Sequence, residues 1–239
     1  MECRFRHIDQ CYKNGIMNIL EIEILTDNLV ETKKFYAELL GFPTTKKDKD
    51  SISFLAGQSI LTFIQSYELN PTYHFAFNIP NNKINEAVKW VSARCDLIES
   101  SDNGVIANFE SWNAKAFYFY DNNKNILEFI ARFDLDNFSD STFASSSILS
   151  ISEIGIVTDD PISYAASLVT NTDLSYFLKQ PIRENFVVLG NDEGLFIIAK
   201  TQRNWYPTDQ PSGKYYSKIR YSTNNLPSEI TVNNKNAKE

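Results

Sequence analysis

Apolar and polar residues alternate through "EIEILTDN" at 21–28, and the pattern then lengthens to a repeat of three to four residues. The alternation predicts a strand with Ile22 and Ile24 on one face and Glu21 and Glu23 on the other. The longer period predicts a helix over 29–42, with Val30, Phe35 and Leu39 or Leu40 as its apolar stripe and Gly41 as its C-cap. The same order recurs along the chain. "HFAFNIPNN" at 74–82 and "EIGIVTDD" at 153–160 repeat the strand and its polar corner, and helices are predicted after them over 83–93 and 161–169. Pro161 opens the latter, where a first helical turn tolerates proline.

Further strand-like runs follow each helix. They cover 51–56 and 59–65, then 104–110, 115–121 and 125–132, then 184–190 and 194–200. A fourth beginning at 218–226 has a strand and a corner but no helix after it. The repeated unit is strand, helix, then two or three strands, an α+β pattern built from tandem modules that must pair to bury their sheet faces. One face of these strands carries Ile22, Ile24, Phe75, Phe77, Leu127, Phe129, Ile154 and Ile156, and it packs on the helices. The other carries Glu21, Glu23, His74, Ala76, Asn78, Glu128, Ile130, Glu153 and Gly155. In the first two units that second face supplies carboxylates and an imidazole at matching positions, where a plain solvent face would mix Lys, Glu and Thr.

Composition narrows the class. With 43% hydrophobic and 13% aromatic residues in 239, the chain is globular and long enough for a substantial core. A net charge of −7 argues against nucleic-acid binding, which needs clustered Lys and Arg. No apolar run approaches the roughly 20 residues of a membrane span. The polar N-terminus lacks the core of a signal peptide, and Cys3, Cys11 and Cys95 lack metal-type spacing, as suits reduced thiols in a cytoplasmic protein. His7 lies in a polar leader and reads as surface.

"DNLVETKKFYAELLGF" at 27–42, "HFAFNI" at 74–79 and "DNNKNILEFIAR" at 121–132 together resemble the signatures of the vicinal oxygen chelate superfamily. This is the fold of glyoxalase I, of bleomycin and fosfomycin resistance proteins and of extradiol dioxygenases. The likeness covers about residues 18–132 well, the third unit partially and the fourth as a stub. It implies tandem βαβββ modules whose mixed sheets curl into a U-shaped cleft, with metal ligands on the first and last strands of each module. Carried over, those positions are Glu21, Thr62, His74 and Glu128, with Thr62 standing where a ligand is usual. Two carboxylates and an imidazole meeting in such a cleft need a compensating charge, and a divalent metal (Fe, Mn or Zn) suits that donor set.

The resemblance therefore implies a metal site of Glu21, His74 and Glu128, with Glu23 or Tyr118 as the catalytic proton carrier. Solvated strand carboxylates are the competing reading of Glu21. Trp112, Asn113 and Tyr120 are candidates for contact with a small-molecule substrate, with plain strand packing as the alternative for the aromatics. The punctuated loop "NWYPTDQPSGKYY" at 204–216 is either a lid over the cleft or an ordinary connection. The chain divides into a leader at 1–17, paired modules carrying the site at 18–134, a linker at 135–149, and a degenerate third module with a truncated fourth at 150–239. Paired modules of this kind close within one chain or across a homodimer. The expected function is a metal-dependent lyase or isomerase acting on a small oxygenated substrate. The alternatives are a metal-free protein that binds a drug or metabolite, and a ring-cleaving extradiol dioxygenase.

Overall fold

The computed structural model describes residues 15–67, 69–100 and 104–233 of the chain. His7, Cys3, Cys11 and most of the leader lie outside these described residues. Strand β1 (Met17–Thr26) follows the predicted alternation, with Ile22 and Ile24 buried and Glu21 and Glu23 half-buried. Helix α1 (Leu29–Lys33) starts at Asn28, whose side chain accepts from the amides of Val30 and Glu31, two of the donors a first turn leaves open. The helix then widens into a π-helical segment over Lys34–Leu39. This alters one position of the predicted stripe: Val30 is 65% exposed, whereas Phe35 and Leu40 are buried as expected, and Thr32, Tyr36 and Leu40 form a buried row. Steps of four residues keep those three in line with the sheet, half a turn away from Val30. Gly41 ends the segment at φ +70°, a conformation that glycine adopts without a Cβ penalty.

The first unit continues with β2 (Thr44–Lys47), β3 (Ser51–Ala56) and β4 (Ser59–Gln65). The second holds β5 (His74–Ile79), α2 (Ile84–Ser92), β6 (Leu97–Ile98), β7 (Ala107–Phe109), β8 (Ala114–Tyr120) and β9 (Ile126–Arg132). The third holds β10 (Ser150–Thr158), α3 (Pro161–Asn171), β11 (Phe186–Asn191) and β12 (Gly194–Lys200). The fourth is a hairpin, β13 (Ser217–Thr223) and β14 (Leu226–Val232). Strand β14 lies outside the sequence expectation. Its "LPSEITV" is exposed at nearly every position, so no alternation marks it, and Pro227 is tolerated because the strand is an edge. Asn224 and Asn225 both take positive φ, which suits the tight turn between two antiparallel strands.

Within each unit the first strand runs parallel to the last: β1 with β4, β5 with β9 and β10 with β12. The helix between them makes the crossover that parallel strands require. Between units the first strands pair antiparallel, β1 with β13 and β5 with β10. The sheet thus has two halves, β2-β3-β4-β1-β13-β14 and β11-β12-β10-β5-β9-β8, joined where Ile19 of β1 meets Ile151 of β10. This corrects the expectation that units one and two enclose the site together. Strand β10 occupies the edge of β5 that β1 would need, so the second unit's partner is the third. The larger apolar cluster joins the helices to Ile22, Ile24, Phe75, Phe77, Leu127, Phe129, Ile154 and Ile156. A smaller one, on the opposite sheet face, includes Ala76, Tyr118, Ile130, Ile197 and Trp205. Among the described residues no helix is long and apolar enough to cross a membrane.

Candidate metal centre

Four strands present one row of side chains. Across β8, β9, β5 and β10, Tyr118 pairs with Glu128, Glu128 with Ala76, and Ala76 with Glu153. Directly paired residues share a face of the sheet. Ala76 is fully buried and ends at its Cβ, so the carboxylates on either side reach towards each other above it. His74, two residues back along β5, adds its imidazole to the same face. One ligand atom each from His74, Glu128 and Glu153 lies within 4.8 Å of the other two, and His74 Nε2 is 3.5 Å from Glu128 Oε2. At 3.1 Å, His74 Nδ1 meets the Ile126 carbonyl oxygen. That contact assigns the proton to Nδ1 and leaves Nε2 with a lone pair facing Glu128.

A bulge aims Glu153. The register of β10 against β5 shifts between Ile151 and Glu153, and Ile151 and Ile154 both enter the helix-side core. Ser152 and Glu153 are therefore left together for the other side, the re-aiming that bulges produce. Arg132 takes both of them. It is fully buried, donates from Nε and Nη2 to Ser152 Oγ at 3.3 and 3.2 Å, and pairs through Nη2 with Glu153. Its Nη1 approaches Asp192 at 3.5 Å, and Asp192 in turn accepts from Lys179 at 2.6 Å.

Burial sets the protonation of the group. It pushes the His74 imidazole down to about 4. It raises Glu128 well above the usual carboxylate range, and the Glu153 charge raises it further, while Arg132 and a hydrogen bond from Tyr118 pull it back. Burial also raises Glu153, opposed by Arg132. The Tyr118 phenol is pushed up by burial and then by Glu128, so it keeps its proton. Each shift is the cost of an ion in low dielectric, and a cation bound to the three ligands would reverse it for both carboxylates.

These residues floor a cavity of about 250 Å³. Trp112, Tyr118, Phe186, Trp205 and Tyr206 wall it, and Arg183 and Arg203 reach it from β11's approach and the loop after β12. The Trp205 ring stands 5.2 Å from the His74 ring. Gly155 makes this approach feasible, since a Cβ there would fall 2.8 Å from the Trp205 ring. The punctuated loop thus lays Trp205 and Tyr206 on the cavity.

The predicted residues divide between two places. His74, Glu128, Tyr118 and Trp112 line the cavity. Glu21 and Glu23 do not. On β1, Glu21 accepts from Thr62 Oγ1 at 2.9 Å and from Arg220 Nη1 at 3.0 Å, and Glu23 accepts from the Tyr216 hydroxyl at 2.5 Å. Their strand pairs with β13 and β4, so Glu21 is not brought together with His74 and Glu128; the acid beside those two is Glu153. Asn113 is exposed, has a left-handed φ of 49° and donates to Asp134 Oδ1 at 2.7 Å, away from the cavity lining. Tyr120 packs at the margin of the cavity-side cluster, with the Lys124 ammonium 5.4 Å from its ring centre.

No family model matches the sequence, and no curated protein matches it. Solved structures do match. A candidate dioxygenase from Bacillus subtilis superposes with a TM-score of 0.59 at 14% identity, over 91% of this chain and 86% of that one. A variant of glyoxalase I from Zea mays superposes at 0.53 and 11% identity, over 92% and 94%. The chain has the vicinal oxygen chelate fold. At these identities the likeness is one of fold alone.

Two kinds of candidate residue were not singled out by the sequence. Glu153 repeats Glu21, so a signal for it existed, but which repeats pair is a tertiary fact. Arg132 lies four residues after Glu128 on one strand, and alternation alone would have put both on the cavity face. The arginines at 183 and 203 and the pair Trp205–Tyr206 sit in irregular segments, where no period points a side chain.

Proposed function

We propose that this chain is a metal-dependent enzyme acting on a small oxygenated molecule, with His74, Glu128 and Glu153 holding a divalent cation. The observation that carries the reading is the meeting of one imidazole and two buried carboxylates within 4.8 Å at the floor of a cavity. The donor set of one nitrogen and carboxylate oxygens suits Fe(II), Mn(II) or Zn(II) and leaves room for substrate oxygens. Such a cation, when bound, supplies Lewis acidity towards a carbonyl or hydroxyl oxygen. The remaining roles belong to this chain's own groups. Glu153 has two oxygens, so it can keep Arg132 on one and offer the other to the cation. Tyr118, protonated and beside Glu128, is placed to pass a proton to or from a substrate held over the floor. Trp205, Tyr206 and Trp112 exclude water from that space. Lyase or isomerase chemistry fits these parts, because it needs one movable proton and a fixed oxygen.

Arg132 supports a second reading. It already supplies one positive charge to Glu153, as a metal-free protein that sequesters a small molecule in the aromatic cavity would require. Elemental analysis of protein purified without chelator, followed by calorimetric titration with Mn(II), Fe(II) and Zn(II), separates the two. The enzyme reading expects one site per chain that is lost in Glu128→Ala and in Glu153→Ala. Uptake that survives both substitutions, or none in the parent protein, overturns it.

A further inference from the structure

The cavity above His74 has two ends of different chemistry. His74, Glu128 and Glu153 at its floor are buried, whereas Arg203 is half-buried and Arg183 exposed, so the two guanidinium groups mark the outer end. Among the described residues neither arginine pairs with an acid. Glu184, next to Arg183 in the chain, is taken by Lys200 at 3.0 Å. Arg203 donates to the Asn204 carbonyl oxygen at 3.0 Å and lies 4.4 Å above the Phe186 ring, which leaves most of its five N–H donors uncommitted. Both guanidinium groups line the same cavity. Two like charges brought together beside a half-buried space are stabilised when an anion sits between them. Between the ends the wall is aromatic, from Phe109, Trp112, Tyr118, Phe186, Trp205 and Tyr206. The space, about 250 Å³, falls below the roughly 300–1,000 Å³ of drug-sized sites.

We infer that Arg183 and Arg203 form a carboxylate-binding subsite, and that the substrate is a single-ring planar acid whose oxygen substituents point to the floor. The orientation follows from sign and shape. Glu128 and Glu153 repel an acid group, whereas a guanidinium fork matches a carboxylate with two parallel hydrogen bonds. Flat rings fill a narrow space between aromatic walls. The floor end of this inference rests on the proposed function; the arginine end does not.

The test compares benzoate with its neutral isostere benzamide, by calorimetry and by quenching of tryptophan fluorescence, in protein stripped with EDTA and again with Mn(II) added. A charge-assisted hydrogen bond is worth about 1.5–3 kcal/mol, so benzoate is expected to bind at least about tenfold more tightly than benzamide. Arg203→Gln should weaken benzoate about tenfold and the exposed Arg183→Gln about fivefold, with benzamide held within about twofold. Rising salt should close the gap between the two probes. Equal binding of benzoate and benzamide, binding of neither, or a ratio untouched by both substitutions overturns the inference. Metal content is read separately on the same samples. Discrimination without metal uptake leaves the subsite standing and removes the enzyme; metal uptake without discrimination does the reverse.

Discussion

Replacing Arg132 by methionine tests the electrostatics of the site most directly. The guanidinium is fully buried, and its partners Ser152, Glu153 and Asp192 are all fixed by strand pairing or by the turn after β11. Methionine fills much of the same volume but carries no charge, so Glu153 is left buried with no cation beside it. Breaking a buried pair from one side costs about 3–5 kcal/mol, most of it from the stranded ion. For a chain of this size that is on the order of a 10 °C fall in melting temperature at neutral pH.

The pH dependence supplies the sharper measurement. Burial already raises Glu153, and Arg132 is the main force opposing that rise. Without Arg132 its folded-state pKa climbs further above the unfolded value. Stability is then fully present below the unfolded carboxylate pKa and is lost as pH rises through the folded one. Urea denaturation of Arg132→Met at acidic and at neutral pH should show a deficit that grows with pH. Met at 132 combined with Glu153→Met, which removes both charges, should recover most of the loss, because an apolar pair of similar volume is often neutral or stabilising. Added Mn(II) should restore part of it to the single variant. A deficit below about 1 kcal/mol, or one that does not change with pH, would refute the account of a stranded ion.

Three other outcomes follow from the geometry. Glu21→Gln should leave metal uptake unchanged and cost less than about 1 kcal/mol, since it breaks only a half-exposed pair with Arg220; lost uptake would return Glu21 to the site. Ala76→Leu should wedge Glu128 apart from Glu153, costing about 1–3 kcal/mol by overpacking and abolishing calorimetric metal binding even though no ligand is altered. His74, lowered to about 4, lends stability that is present above its unfolded pKa and lost as pH falls from about 6.5 towards 4, up to about 3 kcal/mol. In metal-free protein His74→Gln should flatten that limb of the pH profile, and an unchanged limb would show that other groups carry it.

The sequence spoke clearly wherever a period existed. Alternation separated the core face from the functional face at Ile22, Phe75, Phe129 and Ile154, and these residues occupy the helix-side cluster. It also put His74 and Glu128 on one surface. What it could not give was the partner of each repeat, because the first strands of all four units carry similar edges and pairing between them is settled by tertiary packing. Glu21 and Glu153 have nearly the same neighbours in sequence, and the local difference, Gly155 in place of Glu23, gains its meaning only when Trp205 folds over it. The π-helical segment is a second case: Tyr36 lies outside the stripe of Val30, Phe35 and Leu39 or Leu40 that an α-helical period marks, yet it faces inward to reach Asp121 at 2.7 Å. Strand β14 escaped for lack of any buried residue before Val232 that could mark a period.

The different fates of the two repeated carboxylates turn on what stands opposite them. In the first half-sheet Glu21 pairs across the ladder with Arg220, and Glu23 with Lys218. Glu21 there meets the Arg220 guanidinium at 3.0 Å, Glu23 accepts from the Tyr216 hydroxyl, and Lys218 is taken by Glu229 at 3.1 Å, so the surface is neutralised by half-exposed pairs. In the second half-sheet the residue opposite Glu153 is Ala76, which offers no charge and no bulk. The space above Ala76 is filled from both flanks by carboxylates and from one end by His74, and Trp205 covers it through the gap that Gly155 leaves. An acid facing a base in water needs nothing more. Two acids facing each other over an alanine, under an indole and away from water, need either a proton or a cation, and a single arginine can balance one of them. The second half-sheet is therefore the one whose charges remain open to a ligand, although Glu21 and Glu153 begin similar runs of sequence.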